Sequence, residues 1–495
     1  MPSVSAAHSS MDPTMHLLIV PFEIALFLYF IVSNFLYLWT ATLALAGLPS
    51  YIKRHAANPL RTFHSPFEKP VSVIVPAFNE SGNVVATVHS VLRFDYPEFE
   101  VIVVNDGSTD DTLPLLVEAF ALEPSAEVYQ AANFPTQEVR GMYRSRTHPN
   151  VFLVDKVNGG KADALNAGIN CSSYPLLLCL DGDSLYVPET LMAMTEPFLH
   201  DPHTVVSAAS ISVSNGCDFR DGALVRAHLP WTPIVAFQAL EYLRAFLESR
   251  MGWAHVNALA TVSGALGMYR KDVVVETGGF RTDVIWEDME MTIRVHHYMS
   301  ARKIPYRIAF APYPVCWTMV PDTLVSLFKQ RVGWHRHLSE VMTIHRGLLF
   351  RPGSGTIGWL SLPVLALFEW LAPLVVLFGI GFGAFALYYG VLSVWSQIVL
   401  LMLVFALALT VSVTAVLLNE TSFSTYAGDG MLRLMLFTMI ENLGYRQFCT
   451  LANLAGTFRW MFFRRVQRRR VCGPFVRGYN PTTSPNWRGH VQAPR

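Results

Sequence analysis

The chain has 495 residues, of which 52% are hydrophobic and 15% charged, with a formal net charge of zero. That length exceeds one core and suggests about three units, and so little charge excludes an ordinary soluble globule. The zero balance gives no electrostatic footprint for nucleic acid, and six scattered cysteines without a CxxC pair exclude a zinc ribbon and fit a reducing compartment.

Residues 1–16 contain neither Lys nor Arg and read as an N-terminal tail without the basic start of a signal peptide. From Leu17 to Pro49 the one charge is Glu23. A span needs about 20 apolar residues, so 17–49 reads as one uncleaved, tilted transmembrane helix. Lys53, Arg54 and Arg61 follow it, and the positive-inside rule puts them in the cytoplasm with the N-terminus outside.

Residues 50–318 alternate strand and helix patterns. Val71–Pro76, Glu100–Asn105, Val151–Val154 and Leu176–Leu180 read as buried strands. Glu80–Leu92, the run through Leu113, Leu116 and Val117 (capped by Ser108 or Thr109) and Gly160–Ile169 read as helices. This alternation predicts a mostly parallel sheet with ligand groups at the carboxyl ends of strands, where Asn79, Asp106 and Asp181 all fall.

Several motifs in this stretch carry chemistry. Asp181-Gly182-Asp183 puts two carboxylates on a tight turn, suited to a hard divalent cation whose shell a phosphate completes. Asn158-Gly-Gly-Lys161 offers backbone and an ammonium to phosphate. Val262 to Tyr269, containing Gly264, is a small-residue stretch before a helix and a candidate acceptor wall. Glu287 and Asp288 open a helix, where carboxylates are favoured, and one of them suits a general base for an acceptor hydroxyl.

Residues 319–355 read as interfacial helices holding Gln330-Arg-Val-Gly-Trp334, where Trp334 suits a sugar face and Gln330 a hydrogen bond to it. Residues 356–418, with Glu369 as the one charge, predict at least two spans broken near Tyr388–Ser396, with Tyr388, Tyr389 and Trp395 as an interfacial belt. Residues 419–463 are apolar but carry Arg433, Glu441, Arg446 and Arg459, and read as interfacial or re-entrant. Residues 464–495 form a basic tail whose Arg464 to Arg470 cluster suits anionic lipid headgroups.

Six motifs in order, Pro76-Ala77-Phe-Asn-Glu80, Asn105-Asp106-Gly-Ser, Gly160-Lys161-Ala, Asp181-Gly182-Asp183, Glu287-Asp288 and Gln330 to Trp334, resemble the family 2 glycosyltransferases of the membrane-embedded polysaccharide synthase type. The resemblance implies an α/β GT-A nucleotide-sugar-binding domain inserted between transmembrane α-helices, with interfacial amphipathic helices. It implies a multi-pass protein of the inner (plasma) membrane with a cytoplasmic catalytic domain. The reaction would invert a UDP-sugar onto a β-linked glycan or lipid-linked acceptor. Pro76, Ala77, Glu80 and Asp106 would line the uridine pocket, with Lys161 and Gly182 nearby. Asp181 would touch the nucleotide, and Asp183 would hold Mg2+ or Mn2+ on the diphosphate. Asp288, beside Glu287, would be the base, and Gly264, Gln330 and Trp334 would meet the acceptor. One departure stands out: Gly333 occupies the place of the family's motif Arg, with Arg331 and Arg336 as neighbouring sources of that charge. Single-sugar transfer to a lipid carrier, or nucleotide binding without catalysis, are the rival readings.

Overall fold

The computed structural model describes residues 13–56, 68–220, 222–389 and 394–471. Residues 1–12, Arg61, residues 472–495 and the side chains of Lys53, Arg54 and the Arg464 to Arg470 cluster lie outside the described residues.

The strands are β1 (Val71–Ala77), β2 (Phe99–Asp106), β3 (Leu122–Pro124), β4 (Val139–Ser145), β5 (Val151–Lys156), β6 (Leu176–Leu180), β7 (Leu185–Tyr186), β8 (Thr204–Val213), β9 (Asp218–Arg220), β10 (Ala223–Arg226), β11 (Leu266–Arg270) and β12 (Arg307–Thr318). All but β9 and β10 form one sheet in the order β3-β4-β5-β2-β1-β6-β11-β8-β12-β7. β1, β6 and β8 are buried along their whole length. That explains their unbroken apolar runs, since each strand is covered on both faces. The alternation survives in which layer each side chain enters. Val73, Val75, Val101, Val103, Leu176 and Leu178 pack on one face, and Ile74, Ile102, Val104, Leu177 and Cys179 on the other.

The sheet is mixed, which corrects the expectation of a mostly parallel one. β5-β2-β1-β6 and β8-β12 are parallel, but β4 against β5, and β11 against both β6 and β8, are antiparallel. The cause at β11 is local. The chain enters that strand opposite the end of β6, with Leu266 paired to Leu180, so it must run back the other way. This entry places Gly264 beside the Asp181 turn. The Lys161–Cys171 helix covers β1 and β2 at very close range: a Cβ on Gly168 would lie 2.4 Å from Ile74 Cγ2.

The Thr112–Ala119 helix starts after Asp111, not after Ser108 or Thr109. Asp110 accepts from the Thr112 N–H (3.1 Å) and performs the capping role. Ser108 and Thr109 instead bind the loop after β1, as described below.

Two described helices, Pro21–Pro49 and Gln397–Ser422, are long and apolar enough to cross a membrane. Ile357–Trp370 and Ala372–Tyr388 make a further apolar pair bent by 45°. One described helix ends at Tyr388 and another begins at Val394, with Tyr388 and Trp395 largely exposed. Residues 430–471 form two helices, Gly430–Ile440 and Tyr445–Val471. Three of the charges in this stretch have partners, while Arg459 is exposed. Arg433 pairs with Asp429 and stacks on Trp231 (4.6 Å), and Glu441 accepts from Arg244 and Arg446. The Tyr445–Val471 helix lies along Leu324–His345, so close that a Cβ on Gly456 would come 2.8 Å from Val332 O.

Candidate active site

The site forms where β1, β2 and β6 end. Asn79, just past β1, takes a left-handed backbone (φ 56°). Its Oδ1 accepts from Thr109 N (2.8 Å), and its N–H donates to Ser108 Oγ (3.1 Å). Glu80 N donates to Thr112 Oγ1 (2.9 Å) and Ser81 N to Asp110 (3.2 Å). These bonds stitch the loops after β1 and β2 together. Pro76 and Ala77 are buried, so it is Phe78, 48% exposed, that stands at this rim.

Asp106 is the last residue of β2, at the strand end where the sequence placed it. It is 2% exposed, and its carboxylate accepts from Lys156, Gly159 N (3.0 Å) and Gly160 N (2.8 Å). Lys156 also pairs with Asp163 (2.6 Å). The carboxylate thus anchors the Asn158–Gly160 loop that launches the Lys161 helix.

The Asp181–Asp183 turn needs its glycine, because a Cβ on Gly182 would lie 2.7 Å from Pro76 O. Thr87 Oγ1 holds the Gly182 carbonyl (3.0 Å). Tyr186 accepts from Asp181 N (3.1 Å) and donates to Ala265 O (2.8 Å), joining the turn to the Gly264 segment.

Lys161 is the centre of the site. Its Nζ lies 2.6 Å from Asp181 Oδ1, 3.0 Å from Glu287 Oε1 and 3.2 Å from the Gly264 carbonyl. Burial works against its charge, but Asp181, Glu287 and Asp288 outweigh burial and lift the ammonium well above its ordinary value. A Cβ on Gly264 would come 2.7 Å from Lys161 Nζ and 3.2 Å from Asp288 Oδ2. Any side chain there would enter this space.

Burial, then repulsion from Glu287, pushes Asp288 up to about 6, with Lys161 and Arg250 opposing. Such a carboxyl is poised as a base near neutral pH. Burial and then the neighbouring Asp181 also raise Asp183. Burial raises Glu80, with Asp183 and Asp181 adding to it against the Asn83 hydrogen bond. The acids on the donor side therefore exceed the cations present. Among the described residues no group of three or more His, Cys, Asp or Glu is gathered as a metal cage. Asp181 and Asp183 fit an ion that takes the rest of its shell from phosphate and water.

The Leu324–His345 helix brings Gln330, Gly333, Trp334 and His337 to one face. The His337 ring meets Trp286, the residue before Glu287, at 5.6 Å. Gln330 Oε1 is buried with no hydrogen-bond partner among the described residues. Trp334 lies under the Arg331 guanidinium at 4.3 Å. Arg331 itself is committed to Glu241 (2.9 Å), which removes it as a source of the charge missing at Gly333.

The family model for "Glycosyl transferase family 2" matches residues 72–134, and that for "Glycosyltransferase like family 2" matches residues 115–336. The chain belongs to the family 2 glycosyltransferases. Of the residues just described, Asp106, Lys161, Asp181, Asp183, Gly264, Glu287, Asp288, Gln330 and Trp334 fall within the matched stretch. This glycosyltransferase is 28% identical over 272 residues to the poly-β-1,6-N-acetyl-D-glucosamine synthase of Staphylococcus epidermidis, covering 55% of each chain. It is 28% identical over 273 residues to the enzyme of the same name from Staphylococcus aureus (strain MSSA476), again covering 55% of each. The chain thus spans about half the length of the curated relatives it matches. Among solved structures, the Pyrobaculum calidifontis mannosyltransferase in complex with GDP-Man and Mn2+ is 18% identical with a TM-score of 0.47, covering 87% of this chain and 99% of that one. S. aureus TarS 1–349 with UDP-GlcNAc is 15% identical with a TM-score of 0.39, covering 76% and 92%.

Proposed function

We propose that this glycosyltransferase moves a sugar from a UDP-sugar, with inversion, to a growing β-linked polysaccharide at the cytoplasmic face of the membrane, coupled to its translocation. The names of its relatives favour N-acetylglucosamine as the sugar and a β-1,6 product. The observation that carries this reading is the bridge made by Lys161 between Asp181 and Glu287 (2.6 and 3.0 Å), which joins a donor turn to a base pair in one space. We read the domain as GT-A, inserted between the apolar helices.

The residues divide the work. Asp181 and Asp183 would hold Mg2+ or Mn2+, which would supply Lewis-acid neutralisation of the leaving UDP. Lys161 stays protonated and places positive charge between the donor and the Glu287–Asp288 pair. Asp288 accepts the proton of the acceptor hydroxyl, a contribution of typically 10²–10⁴-fold. Gly264 keeps the approach open, and Gln330 and Trp334 hold the acceptor end. Holding both reactants in register supplies the entropic part of the rate.

The test is UDP release by the purified, membrane-reconstituted protein against a panel of UDP-sugars with Mg2+ or Mn2+, with product size measured. Long β-linked chains are expected. Products carrying one sugar on a lipid would replace the polymer reading with the carrier reading. Gly333 favours a third outcome, nucleotide binding without transfer, and the same assay would show it as UDP-sugar binding without UDP release.

A further inference from the structure

A buried ion pair links the elements that carry the transfer site. The Glu287–Ala301 helix opens with Glu287 and Asp288, and Glu290 and Arg294 follow on it one turn apart. Glu290 is 0% exposed and Arg294 6%, so water satisfies neither. Arg294 closes on Glu290 through Nε (3.1 Å to Oε1) and Nη2 (2.7 Å to Oε2). The same guanidinium donates to two backbone carbonyls, Thr277 O and Gly279 O (2.7 Å to the latter).

Those carbonyls belong to a turn that is tied to the helix of Lys161. Gly278 and Gly279 both take positive φ (90° and 72°), a shape that glycine adopts without strain. Asn166, on the Lys161–Cys171 helix, donates to Phe280 O (2.8 Å) and accepts from Phe280 N (2.9 Å). A path of hydrogen bonds therefore runs from the Lys161 helix through Asn166, the Thr277–Phe280 turn and Arg294 to Glu290, two residues past Asp288. A second path reaches the acceptor helix. His345 Nε2, in the last turn of Leu324–His345, lies 3.4 Å from Glu290 Oε1. Around it Met289 and Ile293 join Leu338, Val341 and Met342 in one buried cluster. Burial opposes the Glu290 charge, but His345 and Arg294 outweigh it and hold the carboxyl below its ordinary value.

Taking two charges out of water costs about as much as their attraction returns, so an apolar pair would hold these helices together as well. An apolar pair would not fix direction. The planar fork of Arg294 engages a carboxylate and two carbonyls at once, which sets both distance and angle. The need for such precision is local: Lys161 Nζ and Asp288 Oδ2 stand 2.7 and 3.2 Å from one point, the Cβ position of Gly264. We propose that the Glu290–Arg294 pair is the positioning group of the transfer site, holding Asp288 in register with Lys161 on one side and with the Trp334 helix on the other. The inference rests on the transfer reading above, and the pair acts through Asp288.

The test uses the full chain in lipid nanodiscs, following UDP release with UDP-N-acetylglucosamine. The double variant Glu290→Met/Arg294→Met replaces the pair with apolar side chains of similar length and leaves no charge buried alone. Its thermal midpoint is expected to stay within a few degrees of wild type. Its kcat is expected to fall by about 10²-fold, with the donor KM within about threefold. Arg294→Lys keeps the charge but not the fork, and its kcat is expected about tenfold below wild type at unchanged donor KM. A kcat within about twofold of wild type in the folded double variant overturns the assignment. A fall in kcat matched by an equal rise in donor KM also overturns it, because the pair would then serve only the fold. If the double variant does not fold, Arg294→Lys decides by the same two readings. Asp288→Asn in the same assay separates the two levels. If it is inactive while the double variant keeps its kcat, only the Glu290–Arg294 assignment fails. If it is active, the transfer reading itself fails.

Discussion

The donor side and the membrane side of this molecule are built on different plans. On the donor side, Glu80, Asp181, Asp183 and Lys161 stand at or just past strand ends, and each is held by short loops whose partners are near in the sheet. On the membrane side, charges on the helical segments meet partners from other segments: Arg244 with Glu441, Arg331 with Glu241, Arg433 with the Leu229 carbonyl. The donor side keeps an excess of acids that a cation and a phosphate can use. On the membrane side several charges are neutralised internally, as an apolar surrounding requires. Asp288 sits where the two plans meet, beside Glu287 from one and under the influence of Arg250 from the other.

That contrast can be broken first at the meeting point. Asp288→Asn should lower transfer by about 10²–10⁴-fold, read as UDP release. The pH profile should carry the same signature. Asp288 is raised to about 6, so it is protonated and unable to accept a proton below that value. The rate should rise with pH through about 6 and then level. A profile flat from pH 5 to 8 would remove Asp288 from the base role.

A second change attacks the space between the two sides. Gly264→Val would press on Lys161 Nζ and Asp288 Oδ2, which stand 2.7 and 3.2 Å from its Cβ position. Displacement of reacting groups on the order of 1 Å costs about 10²-fold, so kcat should fall by that much with the fold retained. Near-normal kcat in a folded Gly264→Val protein would place the transfer space elsewhere.

A third change sharpens the membrane side. Glu441→Gln leaves Arg244 and Arg446 facing each other without the carboxylate that both now hold. Breaking such a buried pair costs about 3–5 kcal/mol. The thermal midpoint in detergent should drop, while donor binding per folded molecule stays within about twofold, because the donor turn is built separately. Loss of donor binding in folded protein would mean that the two plans are coupled.

The same contrast explains what could be read in the sequence. The strands β1, β2, β5 and β6 were legible because full burial on both faces leaves unbroken apolar runs. The Asp181 turn and the Glu287–Asp288 pair were legible because a strand end and a helix start concentrate polar groups at fixed places. β11 was not, since its direction depends on where the chain re-enters the sheet opposite Leu180. Asp106 fell at the right strand end, but its partners Lys156, Gly159 and Gly160 were not legible, because they come from another strand and loop.

The central claim is that one Lys161-bridged space holds a donor side and a transfer side with separate roles. The direct measurement is UDP-N-acetylglucosamine affinity, with Mg2+ or Mn2+, in Asp183→Asn and Asp288→Asn beside the wild-type chain. The account predicts that Asp183→Asn loses donor affinity by about tenfold or more, whereas Asp288→Asn binds the donor within about threefold and does not transfer it. Equal donor affinity in all three proteins, or transfer at the wild-type rate by Asp288→Asn, would contradict it.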